Sequence, residues 1–113
     1  MTLTNTQTRL LFDVRLFLDS DPLRRIPISE ITQHFDLSRD KLMRGFKELF
    51  GITVYDYQIQ IAMHHAKILL QKGENIKNVS AELGYSTRGS FTRAFFHALG
   101  KTPSSIRDEI SSQ

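Results

Sequence analysis

The sequence predicts an all-α fold of seven helices. Three observations support this fold: apolar residues recur at helical spacing, capping residues precede those segments, and glycines or prolines follow most of them. No segment of useful length shows the alternating pattern of a strand. With 113 residues the chain can bury a core, and without cysteine it cannot rely on disulfides or thiolate metal sites.

In the first half of the chain, each helix has its own start or stop signal. Pro22 ends the first helix, because proline disfavours a helical conformation in the preceding residue, and Pro27 fits the first turn of the second helix. Ser38 is the expected N-cap of the third helix and Gly51 its C-cap. Residues 1–6 are polar and are expected to fray. The expected helices of this half cover about 7–20, 27–35, 39–50 and 54–72.

In the second half, Asn75 is the expected cap of a short helix that runs through Leu83. Gly84 makes a turn, and Ser86 or Thr87 opens the next helix, which ends at Gly100. A final short helix is expected over about 103–110.

The chain contains an internal repeat. A shift of 48 positions places Ile28 on Ile76 and Phe35 on Leu83, and also Ser38 on Ser86. With one residue inserted in the turn the shift becomes 49, which places Leu42 on Phe91, Arg44 on Arg93, Phe46 on Phe95, Phe50 on Leu99 and Gly51 on Gly100. Each copy consists of a short helix, a turn of roughly 3–4 residues, a capped helix and a glycine, which is typical of a helix-turn-helix unit.

The repeat predicts one domain, 1–113, built from two helix-turn-helix subdomains. They cover 7–53 and 74–110, and a long bridging helix, 54–73, joins them. A bridging helix of about 18 residues spans ~27 Å.

The second helix of each copy has an outward face that is free of core residues. At ~100° per residue the apolar residues of each helix cluster on one side. One outward arginine would indicate only a solvated helix face, but Arg44 and Arg93 lie at matched positions. We therefore predict two DNA-reading helices, whose outward residues are Asp40, Arg44 and Lys47 in the first and Gly89, Arg93 and Phe96 in the second.

The charge distribution also favours a polyanionic partner. The net charge is +3 and the pI is about 9.5. The segment from Asn75 to Arg107 contains five cationic residues and only one acidic residue, Glu82. No apolar run is long enough to span a membrane, and the N-terminal nine residues lack a signal-peptide pattern. We expect a cytoplasmic protein.

A series of residues in fixed order runs through the chain from about residue 8 to residue 110. The series is Ile28, Ile31, Leu37-Ser38, Leu42, Phe46-Lys47, Phe50-Gly51, Tyr57, Ala66, Leu69, Leu70, Gly84-Tyr85-Ser86, Phe91, Arg93, Phe95, Gly100, Thr102-Pro103-Ser104 and Arg107. In this order it resembles the DNA-binding domain of the AraC/XylS family of bacterial transcription regulators.

The resemblance implies that one chain sets two reading helices into successive major grooves of double-stranded DNA, without a cofactor. It also implies an activator more than a repressor, RNA polymerase as a partner, and an N-terminal sensor domain that is absent from these residues. A fragment of a longer regulator is favoured over a stand-alone one, because the polar N-terminal stretch resembles a linker.

The resemblance also assigns site residues by position. Arginine suits guanine, threonine or methionine suits a thymine methyl group, and phosphate contacts set the register. The expected base-contacting residues are Asp40, Met43, Arg44, Arg88, Gly89, Ser90, Thr92 and Arg93, and the expected phosphate contacts are Arg39, Lys47 and Lys101.

Four departures from the family pattern predict a weaker grip on the DNA backbone: Ala62, Phe96, His97 and Ile106. They keep open a second interpretation, a helical protein-interaction module that has lost DNA binding. Two positions are open for Phe96, either packed under the final helix near Ile106 or in contact with DNA or a partner.

Neither an enzyme nor a metal protein is indicated. No nucleophile, base and orienting residue form a recognisable set, and the histidines lack metal-binding spacing. Seven phenylalanines are expected in the core: Phe12, Phe17, Phe35, Phe46, Phe50, Phe91 and Phe95.

Overall fold

The computed structural model describes residues 2–111, with side chains described through residue 109; residues 1, 112 and 113 of the predicted domain 1–113 lie outside this part. The described residues form seven helices and no strand, which confirms the predicted all-α class. The helices are α1 (Asn5–Asp19), α2 (Ile28–Phe35), α3 (Arg39–Phe50), α4 (Val54–Gln71), α5 (Ile76–Glu82), α6 (Arg88–Leu99) and α7 (Pro103–Ser111).

Two helix starts differ from the sequence-based expectation. Thr4 caps α1 through a capping box, since its Oγ1 accepts the backbone N–H of Gln7 at 3.1 Å and Gln7 Oε1 accepts the backbone N–H of Thr4 at 3.0 Å. The prediction that residues 4–6 fray is therefore wrong. Pro27 lies just before α2 as its N-cap, with an extended backbone, and not in the first turn.

The chain divides into two compact units, residues 1–58 and 59–113. In the first unit α1 and α3 pack together closely at Gly45, where an added Cβ would lie 2.9 Å from Leu11 Cδ1. This glycine is buried, so a larger residue there would require the Leu11 side chain to move. The buried apolar side chains of the unit are Leu11, Val14, Leu18, Ile26, Ile28, Ile31, Leu37, Leu42, Phe46 and Val54.

The second unit has an apolar core of its own. Its buried residues come from α4, α5, α6 and α7, and the half-buried Tyr85 packs against them. The cluster consists of Met63, Ala66, Leu70, Ile76, Val79, Phe91, Phe95 and Ile106.

The repeat extends further than the sequence pattern indicated, because α1 and α4 occupy matched positions. A shift of 52 positions places Leu11 on Met63, Val14 on Ala66 and Leu18 on Leu70, and each of the six is at most 1% exposed. Each unit thus has a supporting helix before its helix-turn-helix pair.

The helix that follows each pair is also repeated. Thr53 Oγ1 accepts the Asp56 N–H at 3.0 Å near the start of α4, and Thr102 Oγ1 accepts the Ser105 N–H at 3.1 Å near the start of α7. Residues 54–58 of α4 belong to the first unit and 59–71 to the second, so this helix contributes to both. Its action as a bridge between two readers stays a prediction.

The predicted aromatic core is only partly correct. Phe46, Phe91 and Phe95 are fully buried, but Phe12 is 47% exposed and Phe17, Phe35 and Phe50 are half-buried. The four outer rings form two edge-to-face pairs instead, Phe12 with Phe50 and Phe17 with Phe35, with ring centroids 5.2 Å and 5.4 Å apart. Helical spacing identifies the apolar face of a helix but does not separate its centre from its flank.

Candidate nucleic-acid interface

Both reading helices, α3 and α6, have the same caps. Ser38 Oγ accepts the Lys41 N–H at 3.1 Å, and Thr87 Oγ1 accepts the Ser90 N–H at 3.1 Å. Of the two candidate caps, Thr87 is the one that opens α6. Ser38 is therefore the counterpart of Thr87 and not of Ser86, and the extra residue of the second copy lies before the cap.

The C-terminal ends of these helices match as closely. Gly51 and Gly100 have φ angles of 74° and 73°, and the N–H of each donates to a carbonyl four residues earlier at 2.8 Å. A left-handed residue is needed at each position, which explains the glycine.

Each turn contains one residue with a left-handed backbone, but the two turns differ in length. Asp36 and Gly84, 48 positions apart, both have positive φ angles, 51° and 82°. The first turn, 36–38, has the predicted length of three residues, whereas the second, 83–87, has five and is longer than predicted.

On α3 the predicted outward residues Asp40, Arg44 and Lys47 are exposed, and Met43 is half-buried. Arg44 Nη1 lies 3.5 Å from Asp40 Oδ1, and both side chains are at least 60% exposed. A pair this exposed contributes little to stability, so Arg44 can leave Asp40 for a stronger partner.

On α6 the predicted residues divide into two groups. Arg88, Gly89 and Arg93 are exposed, and Arg93 Nη1 lies 3.5 Å from the position that a Cβ on Gly89 would take. Ser90 and Thr92 are half-buried, and their hydroxyls donate to the backbone carbonyls of Thr87 and Arg88, each at 2.9 Å. Of these residues, only Arg88 and Arg93 present polar side-chain atoms that are not hydrogen-bonded to the backbone of α6.

The three predicted phosphate contacts are all exposed, and two of them have partners in this structure. Arg39 Nη2 is 3.4 Å from the Tyr55 hydroxyl, and Lys101 Nζ is 3.0 Å from Glu109 Oε1. Arg39 is the counterpart of Arg88 at a shift of 49, so both reading helices begin with arginine. The sequence-based prediction assigns Arg39 to a phosphate and Arg88 to a base, although the internal repeat aligns the two arginines.

A family model described as a helix-turn-helix domain matches residues 31–109. The chain belongs to the AraC/XylS-type helix-turn-helix family. This is a family of DNA-binding transcription regulators and not a class of enzymes.

Similar proteins with known names are transcription regulators. The Msm operon regulatory protein of Streptococcus mutans is 30% identical over 84 residues, which are 74% of this chain and 30% of that protein. The regulator RipA of Corynebacterium diphtheriae is 33% identical over 85 residues, 75% of this chain and 25% of that protein. The chain thus spans less than a third of the length of these two relatives.

Solved structures of AraC-type domains share the fold. A probable AraC family regulator from Rhodopseudomonas palustris has a TM-score of 0.80 at 20% identity, with 90% of this chain and 97% of that chain covered. An AraC-type regulator from Chromobacterium violaceum has a TM-score of 0.82 at 20% identity, with 91% and 93% covered.

Phe96 is the unusual residue on the outward face of this AraC/XylS-type domain. It is 55% exposed and is the counterpart of Lys47 at a shift of 49. Ile106 is 1% exposed and lies inside the core of the second unit. Of the two positions left open for Phe96, packing under the final helix is therefore wrong, because more than half of this residue is exposed.

Within residues 2–111 of this AraC/XylS-type domain, no helix is long and apolar enough to cross a membrane. Nor do three histidine, aspartate or glutamate side chains come together there as metal ligands would.

Proposed function

We propose that this chain recognises a specific site in double-stranded DNA, with α3 and α6 lying in successive major grooves. The observation that carries the proposal is the matched pair of Arg44 and Arg93. Both are exposed, both stand six residues after an N-cap hydroxyl, and both lie on the face opposite a fully buried phenylalanine. The N-terminal half of a recognition helix is the part that contacts base edges in the major groove.

The chemistry of α3 suits direct base recognition. A guanidinium binds O6 and N7 of guanine together, and a carboxylate accepts a hydrogen bond from N4 of cytosine. Arg44 and Asp40 would therefore read neighbouring bases, and the partly exposed Met43 would contact a thymine methyl group. The exposed side chains of Arg39 and Lys47 are available to phosphates on either side.

The chemistry of α6 suits a less selective contact. Gly89 has no side chain, and the hydroxyls of Ser90 and Thr92 are bonded to their own helix. Recognition by the second unit would depend on Arg93, on phosphate contacts that include Arg88 and Lys101, and on DNA shape.

As a regulator the chain would act without catalysis or a cofactor, in the cytoplasm where bacterial DNA is found. Two readers on one chain remove the need for a palindromic site, so one module binds one asymmetric site of about 20 base pairs, two turns of DNA. We expect activation through contact with RNA polymerase, and control by a sensor domain in the full-length regulator.

The test is selection of the best binding site from random duplex DNA, followed by affinity measurement at fixed salt. Arg44→Ala and Arg93→Ala should each lose about 1–3 kcal/mol of binding at the selected site, because each removes a base contact. Arg9→Ala is the matched control, since it removes the same charge from an exposed position on α1. If both reading-helix variants bind as tightly as the parent, the assignment of the reading helices is wrong.

A protein-interaction module is the second candidate, and the exposure of Phe96 favours it. An aromatic ring that is more than half exposed, on a face where the first unit has a lysine, suits a protein partner better than a phosphate. Failure to bind any duplex DNA at low salt, together with an intact helical spectrum, would support this candidate over the first.

A further inference from the structure

A cleft of about 350 Å³ opens in the second unit, where the N-terminal parts of α5, α6 and α7 come together. Its charged and hydroxyl residues are Lys77 of α5, Arg88 of α6, and Ser104, Arg107 and Asp108 of α7, and Asn75 and Ile76 complete the lining. Three cations therefore face one carboxylate in a small space. This charge excess favours an anionic ligand.

The cleft is organised around a fixed guanidinium. Arg107 Nη1 donates to the backbone carbonyl of Glu74 at 2.7 Å, which ties α7 to the segment before α5. A guanidinium is always charged, so Arg107 adds a positive charge at a fixed place in the cleft. Because it is already ordered, it loses little side-chain entropy when a ligand arrives.

The matched place in the first unit lacks this chemistry. At a shift of 48, the counterpart of Lys77 is Ser29. At a shift of 49, the counterparts of Ser104 and Arg107 are Tyr55 and Gln58. The Tyr55 hydroxyl lies 3.4 Å from Arg39, the counterpart of Arg88, and Gln58 is buried and neutral. Two of the three cations are thus specific to the second unit.

We propose that this cleft binds one phosphate group, and that in the complex the group is a phosphate of the DNA backbone. The second part rests on the proposed DNA-binding function. The exposed side chains of Lys77 and Arg88 would contact the phosphate oxygens, the Ser104 hydroxyl would donate a hydrogen bond to them, and Arg107 would add its fixed charge. The cleft would fix the second unit on the duplex, which suits a unit whose reading helix offers few base contacts.

The first experiment compares Lys77→Gln with Lys72→Gln, which removes the same charge from an exposed position outside the cleft. A phosphate contact weakens binding almost equally on all sequences when it is lost. For Lys77→Gln we expect such a loss, together with a decrease of about 1 in the slope of log affinity against log salt concentration. The slope of Lys72→Gln should equal that of the parent, and equal slopes for both variants would overturn the proposal.

The second experiment locates the phosphate. Each phosphate of the selected site is replaced in turn by a neutral methylphosphonate, and binding of the parent and of Lys77→Gln is measured. At one position under the second unit, the neutral group should weaken binding of the parent clearly more than binding of Lys77→Gln, which has already lost one contact to that phosphate. A scan in which the two proteins respond alike at every position would overturn the assignment to the backbone.

A titration with inorganic phosphate, followed by the backbone amide signals of residues 75–77 and 104–108, separates this proposal from the proposed function. If the parent binds no duplex, the function fails, yet phosphate-dependent shifts that Lys77→Gln abolishes would still support the cleft as a phosphate site. If phosphate causes no such shifts, and no methylphosphonate position distinguishes the parent from Lys77→Gln, the proposal that this cleft binds phosphate is overturned.

Discussion

The side-chain amide of Gln58 satisfies both backbone polar groups of Ile26. Its Oε1 accepts the Ile26 N–H at 2.7 Å, and its Nε2 donates to the Ile26 carbonyl at 3.0 Å. Both residues are buried, at 5% and 2% exposure, so water cannot replace either bond. Arg107 and Glu74 are their counterparts in the second unit at shifts of 49 and 48. In each unit the helix after the reader therefore holds the segment that leads into the helix-turn-helix pair.

Replacing Gln58 with leucine should destabilise the fold without touching the outward faces. The change leaves a buried N–H and a buried carbonyl without partners, at about 1–3 kcal/mol for each group. Denaturant-induced unfolding followed by circular dichroism measures the loss. Gln60→Leu is the control, because Gln60 is exposed on the same helix and its replacement should change the free energy of unfolding by less than about 0.5 kcal/mol. Similar losses in both variants would contradict this account of Gln58.

The stability of the protein at high pH should depend on Tyr57. Burial and a hydrogen bond from its hydroxyl to Asp19 raise the pKa of Tyr57 to about 12, from 10.0. Because the folded pKa is above the unfolded one, the stabilisation is complete below pH 10 and is lost as the pH rises towards 12. The parent should therefore lose stability more steeply over this interval than Tyr57→Phe, which has no proton to release. Parallel stability curves for the two proteins would refute the role of this hydroxyl.

The sequence predicted the elements that local signals define. Ser38 and Gly51 stand where the third helix begins and ends, because a cap needs only a hydroxyl or a glycine at one position. The outward positions of Arg44 and Arg93 likewise follow from the 3.6-residue period of a helix. The capping box at Thr4 was also readable, since Gln7 stands at its N3 position, but the polar composition of the segment concealed it.

What the sequence could not predict are the contacts between distant residues. Gln58 and Ile26 are 32 positions apart, and an isolated glutamine on a helix carries no signal of what it binds. The cleft at Lys77 and Arg107 depends on the meeting of three helix starts, which periodicity within one helix does not describe. The engagement of Ser90 and Thr92 with their own backbone also appears only when the helix is built.

Asp40 and Gly89 stand at matched positions, each four residues before a reading arginine. Giving Gly89 the residue of the first unit should lower DNA affinity without lowering the stability of the fold. Gly89→Asp should hold Arg93 as Asp40 holds Arg44 and should add a negative charge near the DNA, so affinity should fall. Stability should stay equal or rise by up to about 1 kcal/mol, since glycine is a poor helix former and a carboxylate suits the first turn. Gly89→Ala controls for the side chain alone. Equal DNA affinities of the Asp and Ala variants would show that the added negative charge does not cause the loss of binding.

Phe96→Lys should strengthen binding to duplex DNA of any sequence. The substitution restores the residue that the first unit has at the matched position, Lys47, on a side chain that is 55% exposed. We expect the salt dependence to steepen by about 0.9 in log–log slope if the new ammonium reaches one phosphate. Phe96→Gln provides a polar side chain without charge, and thermal unfolding checks that neither variant disturbs the core. An unchanged slope would mean that this face of α6 points away from the duplex.

The two reading helices should contribute unequally to sequence discrimination, with α3 dominant. Asp40 and Arg44 offer charged groups of opposite sign to base edges, whereas on α6 only Arg93 does so, because Ser90 and Thr92 are bonded to their helix. Each wrong base pair in a specific site typically costs about 1–3 kcal/mol. Scrambling the bases under α3 should therefore abolish most of the specificity, whereas scrambling those under α6 should remove less. The measurement is affinity at fixed salt for the selected site and for each half-scrambled site, with methylation interference to establish which half each helix covers. A larger loss from the half under α6 would show that Arg93 and DNA shape, and not the side chains of α3, decide which sequence is bound.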